Sequence, residues 1–269
     1  MLKDITFGQY YEGNSVVHSL DPRTKILLLI LVIVFLFLTE NPISFLVSAV
    51  FVLFVIAFSR VPVRMFAKNI KAILPILIFT AVINIFYGSG GVVLFTVWKL
   101  TVTTGSLWRA FYMAARIMLL ILISSVLTYT TTPNDLTDAI ESLLSPLRFV
   151  GLKGAVHTFA MMMTIALRFI PTLVEETEKI MNAQKARGAD LENGKLIERI
   201  RALVPILIPL LISSVRRAYE LAEAMECRCY NGGEGRQRMK QLKFAPRDLF
   251  AAVFCIVFCV GIILINILF

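Results

Sequence analysis

Apolar residues run almost unbroken through five stretches, at 26–38, 43–58, 73–87, 110–129 and 249–269, divided by short polar breaks. A helix apolar on every side belongs in a membrane or a deep core. The last two stretches reach the roughly 20 residues that cross a bilayer core. The first three are shorter and must recruit their flanks, with Lys25, Arg60 and Lys71 snorkelling toward water. Thr39-Glu40-Asn41-Pro42 reads as a tight turn between the first two. Residues 88–106 mix glycines with β-branched and aromatic residues. They read as an external hairpin, with Trp98 and Trp108 near the interface, or as an irregular loop.

The pattern changes after Thr130. A first helix is signalled by Thr132 as N-cap, Pro133 at the first helical position and Asp135 and Asp138 near the positive dipole end. Leu136, Ile140, Leu143 and Leu147 form its apolar stripe. Two apolar runs follow, at 155–170 and 203–215. At 1.5 Å per residue they reach about 24 Å and about 20 Å, short of the roughly 30 Å hydrocarbon thickness. Pro171, Pro205 and Pro209 accompany them. We read both runs as partly embedded and leading into water-exposed helices.

Composition agrees with this pattern. Of 269 residues 58% are hydrophobic, and mean hydropathy is +0.79, beyond an ordinary soluble domain. The first residues lack the apolar core of a signal peptide, so the first span is expected to stay. With the N-terminus inside the cell, 24 of the 27 Lys and Arg residues face the cytoplasm and Lys99 alone faces out, as the positive-inside rule demands. The expected fold is therefore an all-α membrane protein with about five transmembrane helices. A cytoplasmic helical coupling domain with two long arms is inserted in it. Residues 1–129 form a four-helix transmembrane region, 130–246 the coupling domain and 247–269 the last span. The expected location is the plasma membrane, with the N-terminus and coupling domain cytoplasmic.

The two arms end alike. After Pro171, Leu173, Thr177, Ile180, Gln184 and Arg187 recur at helical spacing, and Gly188 is a natural stop. After Pro209, Leu211, Val215, Ala218, Ala222, Met225 and Cys229 step by four and three, a seam for a partner helix. Arg217, Leu221, Ala224 and Arg228 make another face. At an offset of 41 residues, Ala183 matches Ala224 and Arg187 matches Arg228. Spacing alone favours two ordinary helix-end cations, each worth about 0.3–1 kcal/mol. The sharper reading is a pair of docking tips, in which a guanidinium enters an acidic pocket.

Resemblance shifts that balance. "FGQYYEGNSVVHSLDPRTKILL" at 7–28, with its Asp-Pro-Arg-x-Lys, resembles the entry segment of the EcfT/CbiQ family, the transmembrane coupling subunits of energy-coupling factor (ECF) importers. "TTTPNDLTDAIESLL", "ALRFIPTLVEETEKIMNAQKARGAD" and "SSVRRAYELAEAMECRCY" resemble its middle and second arm. Such subunits carry two Ala-Arg-Gly motifs. Ala186-Arg187-Gly188 matches the first in full. In the second, Cys227 and Cys229 replace alanine and glycine, while Arg228 is kept. A cysteine at the glycine position resists the left-handed conformation, so the break there is expected to be altered. The resemblance implies two ABC-type ATPase partners, a small substrate-binding membrane subunit (S component) and uptake of a vitamin or metal ion. The bilayer is the remaining partner. The alternative is a self-sufficient permease with its own substrate pathway.

Other chemistry is sparse. No phosphate-binding loop is present; Gly194-Lys195 lacks the preceding glycine and the following Ser or Thr. ATP hydrolysis is thus expected in partner subunits, with no catalytic residue, cofactor or metal here. The five spans contain no Asp or Glu, against an ion-coupled pump. Cys227 and Cys229 lack the second pair a zinc site needs. Cys255 and Cys259 share an apolar face as small hydrophobes. Arg116 should pair with a polar group, Asn84 being one candidate. His18 is expected to orient the entry segment, and His157 to pack. The basic run Arg236, Arg238, Lys240, Lys243 and Arg247 suits anionic lipid rather than nucleic acid.

Overall fold

The computed structural model describes residues 9–39, 41–87, 93–97, 100–145, 153–189, 196–232 and 244–268. Trp98, Lys99, Leu147 and the basic run before Lys243, with Lys243 itself, fall outside them. The chain divides into two units, Gln9–Thr132 with Leu242–Phe269, and another containing Pro133–Gln241.

The first unit holds α1 (Pro22–Leu38), α2 (Pro42–Ser59), α3 (Val63–Tyr87), α4 (Thr104–Thr130) and α8 (Pro246–Leu268). A two-stranded antiparallel hairpin, β1 (Val93–Val97) and β2 (Leu100–Thr103), precedes α4, with Val97 opposite Leu100. This is the hairpin alternative, where β-branched residues favour extended backbone. α4 is the central helix, packed against α1, α2 and α3, while α8 packs on α1 and α2. Leu36, Val52, Leu122, Val126 and Tyr129 are buried at the centre. Cys255 and Cys259 join them as buried free thiols. Ser44 and Ser48 are fully buried on α2. Their hydroxyls bond to Asn41 and Ser44 carbonyls at 2.8 Å, and their small size permits close helix approach.

The opposite faces stay apolar and uncovered, including Leu27, Val34, Leu46, Val50, Val257 and Leu264. A water-soluble domain would not expose so much. Among the described residues six helices are long and apolar enough to cross a membrane: α2, α3, α4, α8 and the two long helices of the second unit. The chain is an all-α, multi-pass membrane protein.

Lipid cannot satisfy backbone polar groups, and side chains cap the starts of α1, α4 and α8. Asp21 accepts from the Arg23 N–H at 2.9 Å and Pro22 occupies the first helical turn. The Asp248 carboxylate accepts from the Ala245 N–H at 2.8 Å and from the Asp21 N–H at 2.7 Å. It therefore caps α8 while fastening the start of α1 to it.

Lys25 departs from expectation. It does not snorkel; it is buried, and its Nζ donates to the carbonyls of Thr130 at 2.9 Å and His18 at 3.3 Å. The Asp-Pro-Arg-x-Lys sequence thus ties α1 to α8 and α4. His18 orients the entry segment: its Nε2 lies 3.0 Å from the Tyr11 carbonyl and its Nδ1 2.7 Å from the Ser15 hydroxyl. Burial lowers its pKa, against the Tyr11 carbonyl and with help from the Lys25 charge. A neutral ring donating from Nε2 and accepting at Nδ1 fits both contacts.

Arg116 also found another partner. Its Nη2 donates to the Thr39 carbonyl at 2.6 Å, while Asn84 turns back onto the Thr80 carbonyl of its own helix. Asn266 donates to the Leu38 carbonyl at 2.9 Å. Two side chains thus satisfy carbonyls at the end of α1, where a cation also meets the negative dipole end.

The second unit holds α5 (Pro133–Leu143), α6 (Lys153–Ala186) and α7 (Leu196–Cys227). α6 packs on both α5 and α7. α5 buries Thr137, Ala139 and Glu141, while Ile140 of the apolar stripe remains exposed. Glu141 lies 3.5 Å from His157 Nδ1. The polar edge of α5 therefore faces its neighbour helix, leaving apolar Ile140 uncovered.

Candidate functional site

Each arm is the far end of one long helix. α6 runs without a break through Pro171, and α7 through Pro205 and Pro209. Proline lacks the N–H that would reach the carbonyl four residues earlier. Pro209 so deprives the Pro205 carbonyl, and Gln184 of α6 donates to that same carbonyl at 3.3 Å. A cross-helix amide fills the vacancy left inside α7.

A second link lies farther along. Glu176 of α6 accepts from the Ser213 hydroxyl at 2.5 Å through one oxygen and from Arg217 through the other. Moving forward on α6 from Glu176 to Gln184 means moving backward on α7 from Arg217 to Pro205. The helices therefore pass each other antiparallel. Glu176 and Arg217 stand at the 41-residue offset that relates Arg187 to Arg228. Eleven residues separate each member of the crossing pair from its arginine tip, about 16 Å of helix at 1.5 Å per residue. Two equal arms leave one crossing in opposite directions.

The tips themselves share one geometry. In α6, the Gly188 N–H bonds to the Lys185 carbonyl at 3.0 Å and the Ala189 N–H to Gln184 at 3.0 Å. In α7, the Cys229 N–H bonds to Glu226 at 2.8 Å and the Tyr230 N–H to Met225 at 3.1 Å. Both are the paired Schellman bonds of a left-handed helix stop. Gly188 has φ 87° and Cys229 φ 54°. The expectation that cysteine would alter the second break is overturned. Cys229 adopts the left-handed conformation despite its Cβ, at a cost of roughly 1–2 kcal/mol. The two closing hydrogen bonds and open surroundings accommodate it.

Arg187 and Arg228 occupy the cap position of each stop. Ala186, Arg187, Gly188, Cys227, Arg228 and Cys229 are all exposed. A Cβ added to Gly188 would meet nothing within 4 Å, so backbone conformation alone favours glycine there. Gly188→Ala is expected to loosen its tip by about 1 kcal/mol, and Cys229→Gly to tighten the other by somewhat less. Amide exchange at Ala189 and Tyr230, whose N–H groups close the two stops, measures both changes.

The heptad-like seam of α7 is not taken by α6. Leu211 and Val215 are 65% and 47% exposed, because α6 meets α7 on the Ser213 and Arg217 side. That apolar strip is left uncovered by α6. Among the described residues no group of three or more His, Cys, Asp or Glu residues could hold a metal ion.

Sequence reading missed the Glu176–Arg217 link, although a signal was present. The 41-residue register, extended backward from Ala183 and Ala224, pairs a carboxylate with a guanidinium at equivalent positions.

Comparison with known proteins gives a consistent result. The family model described as CbiQ, cobalt transport protein, matches residues 13–240. A protein of Ruminiclostridium cellulolyticum named energy-coupling factor transporter transmembrane protein EcfT is 49% identical over 272 residues, covering all of both chains. The protein of the same name from Clostridium kluyveri is 50% identical over 265 residues, 98% of this chain and 97% of its own. That of Bacillus subtilis is 42% identical over 257 residues, 96% of each.

Proposed function

Since this chain belongs to the CbiQ/EcfT family of transmembrane components of energy-coupling factor transporters, we propose that it transmits force from two partner ATPases to a separate substrate-binding membrane subunit. The observation that carries this reading is the matched pair of arms. Each ends on an exposed arginine held by the same helix stop, and each leaves the Glu176–Arg217 crossing at the same length.

Two equal arms suit two nucleotide-binding subunits, one per tip. Ala186 and Gly188 keep the first tip slim, and Cys227 and Cys229 flank the second. A guanidinium on a rigid helix end presents a fork of donors to an acidic groove. ATP-driven closure of the partners would move the tips, and packed helices would carry that motion to the membrane. The open strip at Leu211 and Val215 is available to the substrate-binding subunit, which handles a vitamin or a metal ion. In this reading residues 130–246 and the N-terminus face the cytoplasm. The first parts of α6 and α7 are partly embedded, because full crossing would put six bases between them on the outer side.

Reconstitution tests the division of labour. The chain alone in liposomes is expected to give no uptake, whereas a co-purified complex with ATPases and a substrate-binding subunit gives ATP-dependent uptake. Transport by the chain alone would establish a self-sufficient permease and end this proposal.

A further inference from the structure

The first unit contains a half-open cavity of about 1070 Å³, lined by α1, α2, α4 and α8 and by the entry segment at Tyr10 and residues 13–20. Force transmission gives it no role. Its lining repeats at helical spacing on all four helices. It spans residues 25–32 of α1, 51–58 of α2, 123–130 of α4 and 247–255 of α8. Each span covers eight or nine residues, or about 10–12 Å of helix from first to last. Half of the roughly 30 Å hydrocarbon core is about 15 Å. The cavity therefore has the depth of one leaflet, not of a path through the membrane.

Its two ends differ chemically. Lys25, Phe58, Thr130 and Arg247 mark one end, where Lys25 reaches the Thr130 carbonyl. The other end lies among Val32, Phe51, Ile123 and Cys255, all buried and uncharged. The cationic end includes exposed Arg247 and largely buried Lys25, and the lining contains no Asp or Glu. A soluble anion would gain nothing from the apolar body, and an uncharged hydrocarbon nothing from the cations. An amphiphile with a negative head satisfies both ends.

We propose that this cavity is a binding site for one anionic phospholipid. Its acyl chain lies between α1, α2, α4 and α8, and its phosphate sits at Arg247. The site draws on membrane embedding and charge, not on the coupling role, so either can fail without the other. It also gives the last residue of the basic run a defined ligand.

The test uses the full complex, purified in mild detergent and stripped of endogenous lipid. Native mass spectrometry then follows phosphatidylglycerol and phosphatidylcholine of identical acyl chains, with glycerol 3-phosphate as the soluble head alone. Phosphatidylglycerol is expected to bind preferentially and glycerol 3-phosphate not at all. Arg247→Gln should weaken phosphatidylglycerol binding about fivefold, as expected for one interfacial cation. Ala251→Phe, which fills the apolar body, should weaken both lipids. If Ala251→Phe fails to fold, Arg247→Gln still decides. Equal retention of both lipids, or phosphatidylglycerol binding unchanged by Arg247→Gln, would overturn the site. So would cross-linking of a photoreactive group at Phe254 to a partner protein in place of lipid.

Discussion

Arg187→Glu combined with Arg228→Glu is expected to abolish both co-purification of the ATPase subunits and ATP-dependent uptake. Each substitution presents a carboxylate to a groove proposed to be acidic. Losing a charge pair in an interface and meeting a like charge costs about 2–5 kcal/mol at each tip. That corresponds to a thirtyfold or greater loss of affinity per tip. A single substitution should leave one arm engaged and the assembly weakened. The rival account treats both residues only as helix-end cations. Arg→Lys separates the two readings. Lysine keeps the charge beside the terminal carbonyls, worth about 0.3–1 kcal/mol, but loses the planar fork. Docking predicts impaired assembly with lysine at both positions, whereas simple capping predicts normal assembly. Unchanged uptake in the double glutamate variant would remove the proposed docking role altogether.

Reversing either charge at the crossing is expected to uncouple the machine while leaving it assembled. Glu176→Arg places a cation beside Arg217, and Arg217→Glu places a carboxylate beside Glu176. Neither change touches the tips, so ATPase subunits should still co-purify. What changes is the geometry that relates one arm to the other. Uptake per ATP hydrolysed should fall about tenfold, within the usual range of coupling free energies between sites. The double variant, Glu176→Arg with Arg217→Glu, restores an opposite pair and should recover much of the loss. This cycle isolates the pair term from other effects of each residue. Normal coupling in both single variants, or no rescue in the double, would show that the crossing is not held by this pair.

Much of this protein was legible in its sequence. Five of its helices were visible as apolar stretches, because a helix in lipid needs no polar side. The end of the first arm was visible because Gly188 stops a helix and an arginine precedes it, whereas Cys229 at the second stop carries no such signal. The hairpin before α4 remained one of two options, since glycine-rich, β-branched sequence suits either. The long helices α6 and α7 read as runs divided by prolines. Pro171, Pro205 and Pro209 removed donors without ending either helix, and Gln184 satisfies the carbonyl that Pro209 leaves free.

The sequence by itself determined a membrane-embedded helical chain, its two-armed form and the arginines at its tips. These follow from local rules of hydrophobic length, capping and charge, which need no knowledge of neighbours. Only the tertiary structure decided that Lys25 turns inward to carbonyls and that Arg116 caps α1. It alone placed Glu176 against Arg217, and opened a cavity between four helices and the entry segment. Each of these depends on which groups meet across tens or hundreds of residues. A buried lysine persists only where such distant partners satisfy it.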